Sequence, residues 1–160
     1  MDFIDDQAAI EEMLRQGDWG TLAVAVDGQP YAVPLNYAYL DGRIVVHGAL
    51  EGRKLDAIAA NPRVCFCIAH QEGPVQDHPD SKTCHVGNWS VLVFGRAQLV
   101  TEDERKKRLG NAFNRVFVPE AADLSSARLA QCVLVEIVIE EMTARREVNR
   151  KPTYWRYVAK

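Results

Sequence analysis

The sequence predicts a mainly β (α+β) fold: a six-stranded antiparallel β-barrel with flanking helices. Three observations lead there. Asp27-Gly28 and Asp41-Gly42 each separate alternating apolar runs, and Asp-Gly in that setting is a strong hairpin signal. Three further β-rich runs follow, divided by helical patterns or polar segments. No G-x-G-x-x-G turn or G-x-x-x-x-G-K-[ST] loop is present, which argues against a doubly wound parallel sheet.

Taken in order, the first element is a helix over about Gln7 to Gln16. Asp5 or Asp6 is its N-cap, Gly17 its stop, and Ile10, Met13 and Leu14 its buried stripe. The runs "WGTLAVAV", "PYAVPLNYAYL" and "RIVVHGA" then form an antiparallel meander. A short helix over about Glu51 to Ala60 turns Leu55, Ile58 and Ala59 inward and ends at Asn61-Pro62. "RVCFCIA" is the fourth strand, and the polar stretch 70–88 reads as a long loop of functional character. "WSVLVFGRAQLV" is the fifth, with Gly95 marking a bend or bulge. Thr101 and Glu104 make a capping box for a helix reaching about Phe117, with Leu109, Phe113 and Val116 apolar. "CVLVEIVIEEM" is the sixth strand. The remainder, about 143–160, is a basic, aromatic tail without strong periodicity.

The 160 residues suit one domain, 1–160, with a real core. Apolar residues make up 48% and charged ones 26%, which excludes a disordered composition. A net charge of −3 and a pI near 5.8 argue against a nonspecific nucleic-acid or anionic-membrane surface. No run approaches the roughly 18 apolar residues of a membrane span, and the acidic, amphipathic start is no signal peptide; a cytoplasmic location is expected. In that compartment Cys65, Cys67, Cys84 and Cys132 are expected as reduced thiols. Cys65 and Cys67 with Cys84-His85 lack the spacing of a zinc finger or ribbon, so no metal is expected.

The chemistry concentrates in two neighbouring segments. In "PYAVPLNYAYL", Tyr31, Val33, Leu35, Tyr37 and Tyr39 share one face, while Ala32, Pro34, Asn36 and Ala38 share the other. Pro34 has no N–H to give a ladder, so free backbone groups are expected beside a small-residue face. That arrangement suits either a planar heterocycle or a bulged edge strand at a barrel corner. In "HGALEGRKLDAIAANP", Arg53 and Lys54 open a helix whose positive end prefers acids. A phosphate would satisfy both the end amides and the cations; solvation of two ordinary surface side chains is the alternative. His47 faces the same way as Val45 and Ala49, a few residues from that end, and is the candidate for substrate contact. Ser90 lacks a G-x-S-x-G frame and is no nucleophile elbow.

"YAVPLNYAYLDGRIVVHGALEGRKLDAIAANPRVCFCI" resembles the pyridoxamine 5′-phosphate oxidase-like FMN-binding split barrels, most of all the branch of 5-nitroimidazole resistance (Nim) proteins. The shared pattern joins a Y-x-V-P-x-x-Y strand, the D-G hairpin, H-x-A-x-x-G-x-K-x-x-x-I and N-P-x-V; "SVLVFGRAQLV" resembles the later S-V-x-x-x-G-x-A strand. The match covers roughly 17–105 and implies a homodimer with FMN in two grooves at the subunit interface. The resemblance places Pro34, Leu35 and Asn36 along the isoalloxazine, Lys54 with Arg53 at the phosphate, Gly48 and Ala49 where the cofactor approaches the chain, and Ser90 near phosphate or ribityl. His47 matches the histidine beside the flavin. Position 53 is Arg where Nim-like sequences often have His, which preserves a cation for the phosphate.

The resemblance implies an FMN-dependent oxidoreductase that reduces a small acceptor, a nitroaromatic among the candidates, with NAD(P)H as the candidate donor. A flavin carrier or sensor without turnover is the alternative, and a haem-binding split barrel using His47, His70, His78 or His85 is a third. Trp155, set among Arg150, Lys151 and Arg156, is either a cover over the partner's flavin or part of a mobile end.

Overall fold

A computed structural model describes residues 2–76 and 85–160. Helix α1 (Gln7–Gln16) leads into strands β1 (Trp19–Val26), β2 (Gln29–Leu40) and β3 (Arg43–Gly48). Helix α2 (Arg53–Ala60) precedes β4 (Arg63–Gln76) and β5 (His85–Leu99). Then come α3 (Asp103–Phe117), the single turn α4 (Ser126–Leu129), β6 (Val133–Val148) and β7 (Lys151–Val158). Neighbouring strands run in the order β3-β2-β1-β4-β5-β6-β7, and β3 also pairs with β6. That second pairing closes β1 to β6 into the six-stranded antiparallel split barrel and leaves residues 29–36 of β2 without a second neighbour.

Both Asp-Gly hairpins form as the sequence predicts. Asp27 and Gly28 take φ 52° and 78°, and Asp41 and Gly42 take 52° and 71°, the left-handed pair that a two-residue hairpin turn requires. Helix α1 also matches, with Asp6 as N-cap accepting from Ala9 N at 3.1 Å and Ile10, Met13 and Leu14 buried. It plugs one end of the barrel: Tyr37 Oη donates to Leu14 O at 2.7 Å and Tyr39 Oη to Glu11 at 2.8 Å. The large face of β2 therefore points inward, where Tyr37 is buried with Leu22, Phe66, Ile68, Trp89 and Ile137. A second cluster lies outside the barrel wall, where Ala38, Val45 and Leu134 pack on Leu109 and Phe113 of α3.

Four expectations need correction. The N-cap of α3 is Glu102, not Thr101: its carboxylate accepts from Glu104 N at 2.9 Å and Arg105 N at 2.7 Å. Helix α2 starts at Arg53, two residues late, and buries Ala57 and Ile58 while Ala59 stays exposed. The described parts of the stretch 70–88 are strand: β4 continues to Gln76 and β5 begins at His85, with His70 opposite Trp89 and Glu72 opposite Gly87, while 77–84 lie outside the described residues. One of its charges is paired: Arg146 of β6 reaches across to Glu72 at 2.7 Å. His78 and Cys84 lie outside the described residues.

The tail 143–160 is the fourth correction. It completes β6 and forms β7, a hairpin turning at Asn149 and Arg150 with φ 50° and 63°. Neither turn residue is glycine, so the usual signal was missing. Strand β3 lies opposite 133–138 of β6, and β7 takes up the same edge at 141–148.

One buried ion cluster ties α3 to the barrel. Glu136 on β6 is 3% exposed and accepts from Arg43 at 2.5 Å, Arg105 at 2.5 Å and Gln98 at 2.7 Å. These partners hold its carboxyl below the usual range, although burial alone would raise it. The clamp decides where the inner face of α3 stands over β3, and so shapes the site.

Candidate functional site

The site forms where β2 loses its second neighbour. The β2–β3 ladder ends at Tyr37 opposite Val46, so residues 29–36 are paired only to β1. The chain leaves β3 at Gly48 and enters α2 four residues after Ala49. A cavity of about 610 Å³ opens here, a volume typical of small-molecule sites. Leu35, His47, Gly48, Ala49 and Lys54 form one wall. Phe113 and Asn114 of α3, with Arg128, Gln131 and Cys132 at α4, form the other.

His47 sits on the outer face of β3, turned toward α3. Its ring meets Phe113 edge-on, with centroids 5.1 Å apart and planes at 85°. Partial burial, and then the neighbouring Lys54 ammonium, depress its pKa below the ordinary value of 6.5, so the imidazole is neutral at pH 7. A neutral ring can accept or donate one hydrogen bond to a bound molecule.

Lys54 Nζ donates to the backbone oxygen of His47 at 3.4 Å, a long contact that leaves donors for a ligand. Burial lowers its pKa from 10.5. Gly48 makes this path possible, since a Cβ there would overlap Lys54 Nζ. The N-cap of α2 is Gly52, which supplies no side-chain acceptor to the first-turn amides, so the helix end is open to an anion.

The remaining predicted residues lie at graded distances from this centre. Pro34 is exposed on β2 opposite Thr21, next to Leu35. The Asn36 amide is engaged, donating to Asp18 O at 3.2 Å. Arg53 turns away from Lys54: its guanidinium lies 4.7 Å above the Tyr31 ring, beside a separate cavity of about 310 Å³. Ser90 is on the outer face of β5 opposite Arg145. Trp155 is opposite Ala144 and packs against the chain's own barrel core, bridged to Ile4. His47 stands opposite Leu134, and Ser90 opposite Arg145, eleven residues on along β6. That is about 36 Å of extended strand, so one protomer does not unite them.

Sequence reasoning missed the α3–α4 wall. Phe113, apolar in the helix pattern, faces both the second cluster and the cavity. The signal for α4 was present in Ser125, whose Oγ accepts from Arg128 N at 3.2 Å, a usual N-cap contact. The cysteines Cys65, Cys67 and Cys132 are free, and partial burial pushes the thiols of Cys65 and Cys67 above their ordinary pKa.

The chain is similar to several known proteins. A curated relative, an uncharacterized protein of Rhizobium meliloti strain 1021, is 29% identical over 83% of this chain and 87% of its own. The structure superposes on a candidate 5-nitroimidazole antibiotic resistance protein of Bacteroides thetaiotaomicron with a TM-score of 0.76 and 19% identity, covering 89% and 85% of the two chains. It superposes on a FAD-binding protein of Mesorhizobium loti with a TM-score of 0.69 and 28% identity, covering 89% and 96%. The family model described as pyridoxamine 5′-phosphate oxidase matches residues 6–146, nearly the whole barrel. With the six-stranded ring and the split-barrel relatives, that match establishes that the chain belongs to the pyridoxamine 5′-phosphate oxidase family.

Proposed function

We propose that this protein is an FMN-dependent oxidoreductase that acts as a homodimer on a small acceptor, with NADH or NADPH as electron donor. The observation that carries the reading is the meeting of His47, Gly48, Ala49 and Lys54 with Leu35 in one cavity, beside the unpaired edge of β2. The residues fit the group. Lys54 and the open end of α2 would hold the phosphate, and the backbone along Pro34, Leu35 and Asn36 would face the ring edge. When bound, the flavin supplies the two-electron chemistry. Lys54 neutralises phosphate, His47 offers a neutral hydrogen-bonding group to the acceptor, and Phe113 limits water on the side facing α3.

A dimer is supported by the outer side of β1, β4 and β5, which presents Ala23, Cys65, Leu92 and two exposed large residues, Trp19 at 56% and Phe94 at 38%. A partner packed there would bring its own Ser90, on the outer face of β5, toward the groove. The Mesorhizobium relative is described as FAD-binding, so both flavins enter the test. The purified protein should be yellow, or become yellow with FMN, and should bleach with NADH or NADPH without oxygen. Protein that stays colourless with FMN and FAD alike refutes flavin binding. A yellow protein that oxidises neither nicotinamide with any acceptor is a carrier or sensor.

A further inference from the structure

Two cations line the cavity, Lys54 and Arg128, and no carboxylate does among the described residues, although the chain carries a net charge of −3. Other arginines around α3 each meet a carboxylate within the fold. Arg43 and Arg105 meet Glu136, Arg108 meets Asp41 at 2.8 Å, and Arg115 meets Asp123 at 2.5 Å. Arg128 differs: its guanidinium donates to the neutral Gln131 Oε1 at 3.3 Å, and nearby Asp123 is already taken by Arg115.

The position of Arg128 is fixed by the α3–α4 connection. Asn111, 8% exposed, accepts from Leu124 N at 2.8 Å, and Ser125 Oγ accepts from Arg128 N. With Arg128 and Lys54, the cavity is lined by apolar Leu35, Phe113, Leu124, Leu129 and Leu134, and by the uncharged polar groups of Asn114 and Gln131. An apolar, partly aromatic surface with one guanidinium at its rim is complementary to a flat organic anion. The planar guanidinium presents parallel N–H donors that match the two oxygens of a carboxylate, and it balances one negative charge.

We propose that Arg128 recognises the carboxylate of the molecule on which the flavin acts, so that the substrate is a small, conjugated carboxylate and not a neutral compound. This rests on the flavin reading, in which Lys54 is committed to the cofactor's phosphate. Arg128 is then a specificity-determining residue, and the apolar wall takes the body of the ligand.

The test compares 4-nitrobenzoate with nitrobenzene by titration calorimetry on the full-length protein, as wild type, Arg128→Gln and Arg128→Lys. Wild type should bind 4-nitrobenzoate roughly tenfold or more tighter than nitrobenzene, in line with a hydrogen-bonded charge pair at a solvated rim. Arg128→Gln should lose that preference, Arg128→Lys should recover part of it, and the FMN Kd should stay within about twofold in both. Equal affinity for the two probes in wild type, or a preference kept in Arg128→Gln, overturns the proposal. A parallel loss of FMN affinity in Arg128→Gln also overturns it, because Arg128 would then be a cofactor ligand. The calorimeter reads the probe with or without flavin. A yellow protein without the preference therefore refutes the carboxylate site alone. A colourless protein that keeps an Arg128-dependent preference refutes the flavin reading while retaining the anion site.

Discussion

Removing the Glu136 carboxylate should loosen α3 and open the cavity. Glu136 is 3% exposed, while the side chains of its partners Arg43 and Arg105 are 33% and 31% exposed. Breaking a fully buried pair costs about 3–5 kcal/mol. Here both arginines can regain water, so Glu136→Ala should cost less than that, roughly 2–3 kcal/mol. For a domain of this size that is a fall in Tm of roughly 5–10 °C. Glu136→Gln keeps the shape and some hydrogen bonding and should cost less. The sign of the pH dependence follows from the depressed carboxyl: its stabilisation is complete above the unfolded-state pKa and is lost as pH falls through the lower, folded value. The Tm gap between wild type and Glu136→Gln should therefore be full at pH 7 and close on acidification below about pH 4, near the ordinary carboxylate range. Thermal melts across pH measure this, and hydrogen exchange locates it. Amides of α3 over residues 103–117 should lose protection before those of β1 and β4. A Tm unchanged to within about 1 °C in Glu136→Ala, or unaltered α3 protection, would refute the clamp.

Lys54→Ala should weaken FMN binding by roughly 10- to 100-fold, the loss of a charge-assisted phosphate contact, whereas Arg53→Ala should change it far less because that side chain lies over Tyr31. Flavin fluorescence titration separates them, and equal effects would show that Arg53 swings into the phosphate site. The His47 titration followed by proton NMR should have its midpoint below 6.5, and Phe113→Ala should move it up by restoring solvent, since burial is the larger cause; a midpoint at or above 6.5 in wild type contradicts this. Truncation after Val148 should lower the Tm and promote association beyond the state of the intact protein, because it withdraws Trp155 and Tyr157 from the core and bares the β6 edge at 141–148; an unchanged Tm and oligomeric state would deny β7 a structural role.

Much of the fold was legible in the sequence because it is written in local chemistry. Two Asp-Gly turns, an aspartate cap ahead of α1 and the alternation within β1, β2 and β6 each act over a few residues. The cluster of Leu35, His47, Gly48, Ala49 and Lys54 was legible for a related reason: it spans a hairpin and the helix that follows, so its members are close in sequence as well as in space. The segments misjudged were those whose order comes from distant partners. Polar 70–76 is strand because it pairs with β5 and meets Arg146, and 151–158 is strand because β3 leaves an edge of β6 free.

The sequence by itself determined the mainly β barrel, its first helix, the two tight hairpins and the wall of the cavity that carries His47 and Lys54. Periodicity, turn residues and caps are short-range properties, and a linear chain displays them openly. Only the tertiary structure decided that Arg53 and Lys54, adjacent in the chain, point into different cavities. It alone set Arg128 and Phe113 across from His47, and placed β7 on the barrel. Those outcomes depend on strand closure and on a buried carboxylate that positions α3 over residues far away in sequence, and no local pattern encodes them.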